Sequence, residues 1–293
     1  MTDINSLIES FGIDRLQKTP HGYRGCCDVN PNHIDRNPSM YINLDKGIVK
    51  CFSCGVGKTL FNYLTDKGVS FDIAVDFLLT NFSESKHRES IEITDYVLGR
   101  DLPKSMLDRG FLPSTLKHFG VGYDRYEKRI TIPLKFNGKL YGIGYRVYPK
   151  KFWATENFVK DNFIYNYEDT EERVLTEGYT DCWRIWQNGT KNVSALLTAY
   201  PSDGQLVLLS RHKKLVLALD NDKAGYTGAF RIHRELGREL DISVVKFSGK
   251  DAGDLDSLSW KKAISDIRTF SEFEVAMITH QPKLYETIQK ELK

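Results

Sequence analysis

The pattern of apolar and polar positions changes along this chain of 293 residues, and each change predicts a different kind of structure. Two alternating runs, 41–44 and 47–50, predict a β-hairpin whose turn is formed by residues 45–46. Across 60–82 the apolar residues recur at helical spacing. Residues 83–90 are polar and charged without any apolar period, so we expect a linker there.

Two further patterns follow the linker. Residues 91–168 are rich in aromatic residues and turns and contain alternating runs, which predict a twisted antiparallel sheet. From 173 to 247, short apolar strands alternate with helices, as is typical of a parallel α/β sheet with right-handed crossovers. The residues after 256 are predicted to be helical. The strands predicted for the parallel sheet are 174–176, 193–196, 215–219 and 242–247.

The composition is that of an ordinary globular protein. The chain is 41% hydrophobic and 27% charged, which excludes disorder as its default state. No apolar run reaches the length of about 18 residues that a membrane helix needs, and the opening MTDINSLIES has no apolar signal core. We therefore expect a soluble, cytoplasmic protein without a membrane partner.

Four of the five cysteines lie close together, which favours a metal site over a set of disulfides. Cys51 and Cys54 are separated by two residues at a predicted turn, where both thiolates can face one ion. The other ligands of a tetrahedral zinc would be His33 and either Cys26 or Cys27, of which we favour Cys27. A closed site of four protein ligands is structural. The alternative is a group of buried thiols beside an unrelated histidine.

A phosphate-binding loop is suggested by Gly55-Val56-Gly57-Lys58-Thr59, which resembles the end of that motif. The motif requires glycine five residues before Gly57, and Phe52 occupies that position. A zinc knuckle also precedes the segment where a buried strand would be required. We therefore expect no ATP site here.

Acidic residues follow three strands of the predicted parallel sheet at the points where the strands end. Glu177 follows the first strand, Asp220 and Asp222 follow the third, and Asp251 follows the fourth. Because open α/β sheets build sites at the carboxyl ends of their strands, these carboxylates should converge and require a counter-cation. Oxygen ligands of this kind suit Mg²⁺, and such an array serves phosphoryl or nucleotidyl transfer. Each residue could instead cap a following helix.

Local charge identifies a candidate nucleic-acid surface in a chain whose formal net charge is only +2. Segment 124–151 holds eight basic and two acidic side chains, a local excess of six positive charges. Aromatic residues are interleaved with these cations, as in tracks that bind single-stranded nucleic acid. The alternative is a solvated sheet face over an aromatic core.

Three groups of motifs, spanning roughly residues 20–255, resemble bacterial-type, DnaG-like DNA primases. The first group resembles their zinc ribbon: Tyr23-Arg24-Gly25-x-Cys27, His33-x-Asp35-Arg36-Asn37-Pro38-Ser39-Met40 and Gly47-x-x-Lys50-Cys51-Phe52-x-Cys54-Gly55-x-Gly57. A further group resembles the N-terminal half of their RNA polymerase domain: Arg109-Gly110-Phe111, Phe119-Gly120-Val121-Gly122-Tyr123, Arg129-Ile130-x-Ile132-Pro133-Leu134, Gly138-Lys139, Gly142-Ile143-Gly144-Tyr145-Arg146 and Lys151-Phe152. The last group is similar to the Toprim motifs: Glu177-Gly178-Tyr179-x-Asp181, Asp220-x-Asp222-x-Ala224-Gly225 and Lys250-Asp251.

The resemblance implies an α/β fold class, α+β overall. The implied domains are a zinc ribbon over 1–82, a linker over 83–90, a mixed α/β polymerase subdomain over 91–170, a parallel Toprim subdomain over 171–256 and a short helical tail over 257–293.

The resemblance also implies the synthesis of short RNA primers from NTPs on a single-stranded DNA template, with a replicative helicase as partner. Structural Zn²⁺ would be held by Cys27, His33, Cys51 and Cys54. Catalytic Mg²⁺ or Mn²⁺ would be held by Glu177, Asp220 and Asp222, the catalytic residues, with Asp251. The expected nucleic-acid contacts are Arg129, Lys135, Arg146, Lys150 and Lys151.

The chain departs from the family pattern at three places. Three extra residues separate Cys27 from His33, and the last acidic motif, 251–254, lacks the usual proline, which leaves the role of Asp254 open. About forty residues follow the Toprim region, so we expect the helicase-binding domain to be reduced or absent, as in a compact bacteriophage primase.

Two other functions are compatible with these motifs. A Toprim site also serves enzymes that cleave strands, such as nucleases and type IA topoisomerases, although a topoisomerase needs a large gate domain. A protein without catalysis could use zinc to bind single-stranded DNA as a replication accessory.

Overall fold

The computed structural model describes residues 4–44, 47–70, 73–74, 101–136, 138–147, 151–155, 158, 160 and 163–292. The chain forms two compact units, residues 1–86 and 87–293. The linker predicted at 83–90 lies outside the described residues.

The first unit contains a five-stranded antiparallel sheet whose strands follow chain order. Its elements are α1 (Ile4–Ser10), β1 (Gln17–Thr19), β2 (Gly22–Gly25), β3 (Met40–Asn43), β4 (Ile48–Cys51), β5 (Gly57–Thr59) and α2 (Leu60–Asp66). Antiparallel pairing of β3 with β4 confirms the predicted hairpin, although its turn is outside the described residues. The helix predicted from residue 60 ends at Asp66, because Gly68 follows with a left-handed φ of 82°.

Alternation along these strands separates a buried face from an exposed one. Tyr23, Ile42 and Val49 are paired across β2, β3 and β4, and all three are at most 1% exposed. Gly22 is required at the edge of this face, since a Cβ there would lie 2.1 Å from the carbonyl oxygen of Ile42. The first unit therefore has a small core under one face of its sheet.

The second unit begins, within the described residues, with two short helices and an antiparallel sheet. These elements are α3 (Lys104–Asp108), α4 (Pro113–His118), β6 (Gly122–Asp124), β7 (Arg129–Phe136), β8 (Lys139–Val147) and β9 (Lys151–Ala154). The sheet has the order β6-β7-β8-β9, as the alternating runs predict. The two helices were not predicted, because five and six residues are too few for a 3.6-residue period to repeat.

The parallel sheet predicted for 173–247 is confirmed. Its elements are β10 (Glu172–Thr176), α5 (Tyr179–Gln187), β11 (Val193–Ala195), α6 (Asp203–Leu209), β12 (Lys214–Leu217), α7 (Lys223–Leu236) and β13 (Asp241–Val245). The strands β11-β10-β12-β13 are mutually parallel, with a crossover between β11 and β12. Their buried apolar runs, such as Leu215–Leu217, are those of a sheet covered on both faces.

The C-terminal residues add helices and one strand. These elements are a 3₁₀ turn (Ala252–Asp254), α8 (Ser257–Ser265), β14 (Ile267–Thr269), α9 (Phe270–His280) and α10 (Pro282–Glu291). β14 pairs antiparallel with β13 and was not predicted, because a three-residue strand depends on its long-range partner and has no period of its own. Among the described residues, no helix has the length and apolar character needed to cross a bilayer.

Candidate metal centre and active site

The first candidate site is a cluster of three cysteines and a histidine in the first unit. The ligand atoms of Cys27, His33, Cys51 and Cys54 all lie within 4.8 Å of one another. Cys27 Sγ is 3.9 Å from Cys54 Sγ, and Cys51 Sγ is 3.8 Å from His33 Nδ1. Thiolates about 2.3 Å from a tetrahedral zinc are about 3.8 Å apart, so this donor set fits Zn²⁺.

The two adjacent cysteines have different surroundings. Cys26 is buried, and both its backbone N–H and its side chain interact with Asp14. The backbone N–H of Cys27 instead donates to Asp35 Oδ2 at 3.0 Å, beside the cluster. The structure therefore groups Cys27, and not Cys26, with His33.

A hydrogen-bond network supports the cysteine cluster. The Ser39 hydroxyl lies within hydrogen-bond distance of two acceptors, Asp35 Oδ2 at 2.5 Å and Cys51 Sγ at 3.2 Å. Burial opposes ionisation of Cys51, but the Ser39 hydroxyl and the backbone N–H groups of Cys54 and Ser53 lower its pKa to about 7. These groups thus favour the thiolate form of Cys51, whereas burial raises the pKa of Cys27 to about 11.

The segment that resembles a phosphate-binding loop has a different structure. Residues 57–59 form β5, and the Thr59 side chain caps α2 by accepting from the N–H of Asn62. The Lys58 ammonium forms an ion pair with Asp66 at 2.6 Å. The segment is therefore an edge strand whose lysine is engaged in an ion pair.

The second candidate site lies at the carboxyl ends of β10 and β12 in the second unit. Glu177 follows β10, and its Oε1 accepts a hydrogen bond of 3.1 Å from the N–H of Asp220, which follows β12. Asp251 joins them from the chain after β13, where its charge acts on Asp220. We call these residues, together with Asp222 and Asp181, the acidic edge.

Asp222 combines two roles that the sequence presents as alternatives. Its Oδ1 caps α7 by accepting from the N–H groups of Ala224 and Gly225, at 3.0 and 3.1 Å. Its negative charge nevertheless acts on both Glu177 and Asp220. Capping therefore fixes the side chain at the edge of the acidic group.

Burial and mutual repulsion raise the pKa values of the acidic edge. Burial first, and then the charges of Asp220 and Asp222, raise the pKa of Glu177 to about 7. Burial and the charges of Asp251 and Asp222 raise the pKa of Asp220 to about 6. Oxygen donors that repel one another in this way fit a divalent cation such as Mg²⁺, which would compensate their charge.

Asp181 belongs to the acidic edge, although no metal role is predicted for it from the sequence. It lies in the first turn of α5, where its Oδ2 accepts from the N–H of Gly178 at 3.2 Å. Burial, followed by the charges of Asp251 and Asp220, raises its pKa to about 7. Its spacing of four residues from Glu177, across a strand-to-helix turn, is the signal that could have identified it.

Two glycines allow the main chain to approach these carboxylates. A Cβ at Gly225 would lie 2.2 Å from the carbonyl oxygen of Asp220 and 2.7 Å from Glu177 Oε1. A Cβ at Gly253 would lie 2.2 Å from Asp181 Oδ1. Any larger residue at either position must displace the acidic edge.

A cavity of about 300 Å³ opens beside the acidic edge. Its lining includes Glu177, Asp181 and Asp220 together with the rings of Phe152 and Tyr179. Phe152 is 43% exposed and stacks on Tyr179 with ring centroids 5.7 Å apart. A molecule bound in this cavity would therefore contact both carboxylates and an accessible aromatic face.

The basic side chains predicted to bind nucleic acid do not share one face. Arg146 pairs with Phe152 across β8 and β9 and donates to the Tyr179 hydroxyl at 2.7 Å, beside the cavity. Arg129 lies on the opposite face by strand alternation, where its guanidinium covers Tyr145 at 4.0 Å and pairs with Asp124.

Three predicted contacts remain besides Arg146 and Arg129. Lys135 is exposed on β7, and Lys151 begins β9. Lys150 lies outside the described residues.

Comparison with known proteins places the cysteine cluster in one known domain and the acidic edge, apart from Asp251, in another. A CHC2 zinc finger model matches residues 1–92, and a Toprim domain model matches residues 171–246. The DNA primase of Clostridium acetobutylicum is 27% identical over 341 aligned positions, which cover 89% of this chain and 56% of that protein. The chain spans 56 to 63% of the length of the primases that it matches.

Solved structures show the same fold. The zinc-binding and RNA polymerase domains of Aquifex aeolicus primase align with a TM-score of 0.53 at 21% identity, over 98% of this chain and 88% of that one. A DnaG primase catalytic domain bound to ssDNA aligns with a TM-score of 0.50 at 16% identity. The alignment covers 61% of this chain and 75% of that one. The predicted fold class and the resemblance to DnaG-like primases are thus confirmed.

Proposed function

We propose that this chain, which has the zinc ribbon and Toprim fold of DnaG-like primases, is a DNA primase that makes short RNA primers on single-stranded DNA. The observation that carries the proposal is the convergence of Glu177, Asp220 and Asp251 from three strand ends, with Glu177 and Asp220 lining one cavity. The substrates would be NTPs, and the activity would be that of a DNA-directed RNA polymerase.

In this proposal Glu177, Asp220 and Asp222, with Asp251, hold Mg²⁺ or Mn²⁺. When bound, such an ion neutralises a triphosphate and polarises the attacking 3′-hydroxyl. The chain itself contributes the close placement of these carboxylates, whose mutual repulsion a bound cation would compensate. Their raised pKa values support this role, because proton release would accompany metal binding.

The residues around the cavity would orient the nucleotide. The exposed face of Phe152 offers a surface for stacking a base, and Tyr179 supports that ring from behind. Arg146, held by the Tyr179 hydroxyl, places a guanidinium near the anionic substrate. The cavity thereby combines the three kinds of group that a nucleotide needs.

The zinc ribbon would bind the template. Arg24, Tyr41 and Lys50 pair directly across β2, β3 and β4, which places them in one row on the face opposite the core. Phe52, at the end of β4, is 68% exposed and packs edge-on against Tyr41. A row of cations and aromatic rings suits single-stranded DNA, and Zn²⁺ held by the Cys27 cluster would keep this small sheet folded.

The proposed template track in the second unit uses Lys135, Arg146, Lys150 and Lys151. Arg129 is the weakest of the five predicted contacts, because Asp124 and Tyr145 already engage its guanidinium. A replicative helicase remains the proposed protein partner, on the basis of the family resemblance.

The proposal predicts that Asp220→Ala abolishes primer synthesis while zinc remains bound. The variant removes a carboxylate at the centre of the acidic edge, but none in the first unit. The assay is Mg²⁺-dependent incorporation of labelled ribonucleotides on single-stranded DNA. Asp241→Ala is the matched control, because Asp241 is an exposed carboxylate at the opposite end of β13.

The same assay separates the alternatives. Full primer synthesis by Asp220→Ala would contradict the assignment of the site. A wild-type chain that cuts DNA but makes no primer would be a Toprim nuclease. One that binds DNA and does neither would be an accessory protein.

A further inference from the structure

Arg184, on α5, holds two loops of the second unit at once. Its Nε donates to the carbonyl of Gly253 at 3.1 Å, its Nη1 to that of Gly110 at 3.0 Å, and its Nη2 to that of Arg109 at 2.6 Å. The guanidinium also lies over the ring of Phe111, 4.4 Å from its centroid. A planar fork of donors can hold several carbonyls in fixed positions, which a single ammonium cannot.

One of these loops is part of the acidic edge. Gly253 lies in the 3₁₀ turn that follows Asp251. Its ideal Cβ position is 2.2 Å from Asp181 Oδ1 and 3.2 Å from Asp251 Oδ1, so the main chain held by Arg184 packs directly against two carboxylates. A displacement of this turn would therefore move both oxygens.

We infer that Arg184 is a positioning residue that sets the affinity of the acidic edge for its divalent cation by fixing Gly253 against Asp181 and the proposed ligand Asp251. The inference rests on the proposed function, because it takes the acidic edge as the metal site. The affinity for the cation would depend on this geometry, because Mg²⁺ requires near-octahedral placement of its oxygen ligands. Arg184 acts through a backbone carbonyl and is not itself a ligand.

The same helix provides a matched control. Gln187, one turn further along α5, donates to the carbonyl of Gly110 at 3.0 Å and accepts from the N–H of Leu112 at 2.8 Å. Together with a bond accepted from the Thr115 hydroxyl at 3.1 Å, its described hydrogen bonds hold residues 110–115 and do not include Gly253. Gln187→Ala therefore loosens one of the two loops that Arg184 holds and leaves the other in place.

The test is Mn²⁺ binding to the zinc-loaded full chain, measured by calorimetry and by electron paramagnetic resonance of the free ion. We expect Arg184→Ala to weaken Mn²⁺ binding about tenfold, the range seen when groups behind metal ligands are removed. Arg184→Lys should recover only part of this loss, because it keeps the charge but not the fork. Gln187→Ala should bind as the wild type does.

Four results would overturn the inference. An Arg184→Ala variant that binds Mn²⁺ as tightly as the wild type would contradict the inference directly. Full recovery of Mn²⁺ affinity in Arg184→Lys would show that only the positive charge is required. Equal losses in Arg184→Ala and Gln187→Ala would show a general effect on folding. If the wild type binds no Mn²⁺ and Asp220→Ala changes nothing, the proposed metal site fails and the inference fails with it. Should Arg184→Ala not fold, Arg184→Lys supplies the same comparison.

Discussion

At the acidic edge, single carboxylate residues are packed closely together although their charges repel one another. Burial, and after it the charges of neighbouring carboxylates, raise the pKa values of Asp181 and Glu177 so that both retain protons, and Gly225 and Gly253 bring the main chain into contact with their oxygens. Such an arrangement is costly for folding without a cation. It persists where binding of an ion compensates for it.

The pKa of Asp181 gives a prediction for stability. Its value rises from 3.8 to about 7 on folding, so the folded state holds a proton that the unfolded state releases. This preference for the folded state is present at low pH and is lost as pH rises through about 7. Asp181→Asn should therefore make the chain free of Mg²⁺ and Mn²⁺ more stable than wild type at pH 8, by at most about 4 kcal/mol, and similar to it near pH 4.

Urea unfolding of the zinc-loaded chain at both pH values measures this effect. Asp241→Asn, an exposed position at the other end of the sheet, should follow the wild type. Parallel pH curves for Asp181→Asn and wild type would contradict the buried, proton-holding role of Asp181.

Among the structural elements, the zinc ribbon depends most on a few side chains. Its strands have only three or four residues each, and its core is small, so the metal cluster would supply much of its folding free energy. Cys27 follows β2 and Cys51 ends β4, so a shared ion would link two strands that are not adjacent in the sheet.

Replacement of the two neighbouring cysteines tests this arrangement. Cys27→Ser should lose most of its bound zinc and unfold at lower temperature, because only three ligands remain. Cys26→Ser should keep about one zinc per chain, since its side chain interacts with Asp14 outside the cluster. Zinc release to a chromogenic chelator measures both variants, and loss of zinc by Cys26→Ser alone would reverse the ligand assignment.

How far the sequence predicts these elements depends on their length and partners. The strands from Glu172 to Val245 are short, mostly apolar runs separated by helices and are predicted, whereas α3, α4 and β14 are too short to show a period. The carboxylates of the acidic edge follow from strand ends. The contacts of Arg184 do not, because they join residues more than 60 positions apart through backbone carbonyls.

Over the whole molecule, the near-zero net charge conceals separate basic and acidic regions. The eight cations of segment 124–151 were predicted to form one basic track. Strand pairing divides them instead, with Arg146 beside the acidic edge and Arg129 on the other face. A cation that is exposed and a cation that is already paired should contribute differently to DNA binding.

Salt dependence distinguishes these two kinds of cation. Lys135→Ala should weaken binding to single-stranded DNA for every sequence and reduce the slope of log affinity against log salt by about 0.7. Arg129→Ala should leave that slope nearly unchanged and lower the unfolding temperature, because it removes packing on Tyr145. Fluorescence anisotropy over a salt series supplies both slopes. Equal slopes for the two variants would contradict this distinction.

The parallel sheet is also protected against unwanted association. β14 covers the outer side of β13, and Tyr165 exchanges two backbone hydrogen bonds with Ala195 on β11 at the other side. Exposed strand edges serve as templates for intermolecular β-pairing, and both margins of this sheet are at least partly occupied. Any protein that binds at these margins would therefore be recognised through side chains and loops, and a concentrated solution of the protein should resist growth into β-rich aggregates from this sheet.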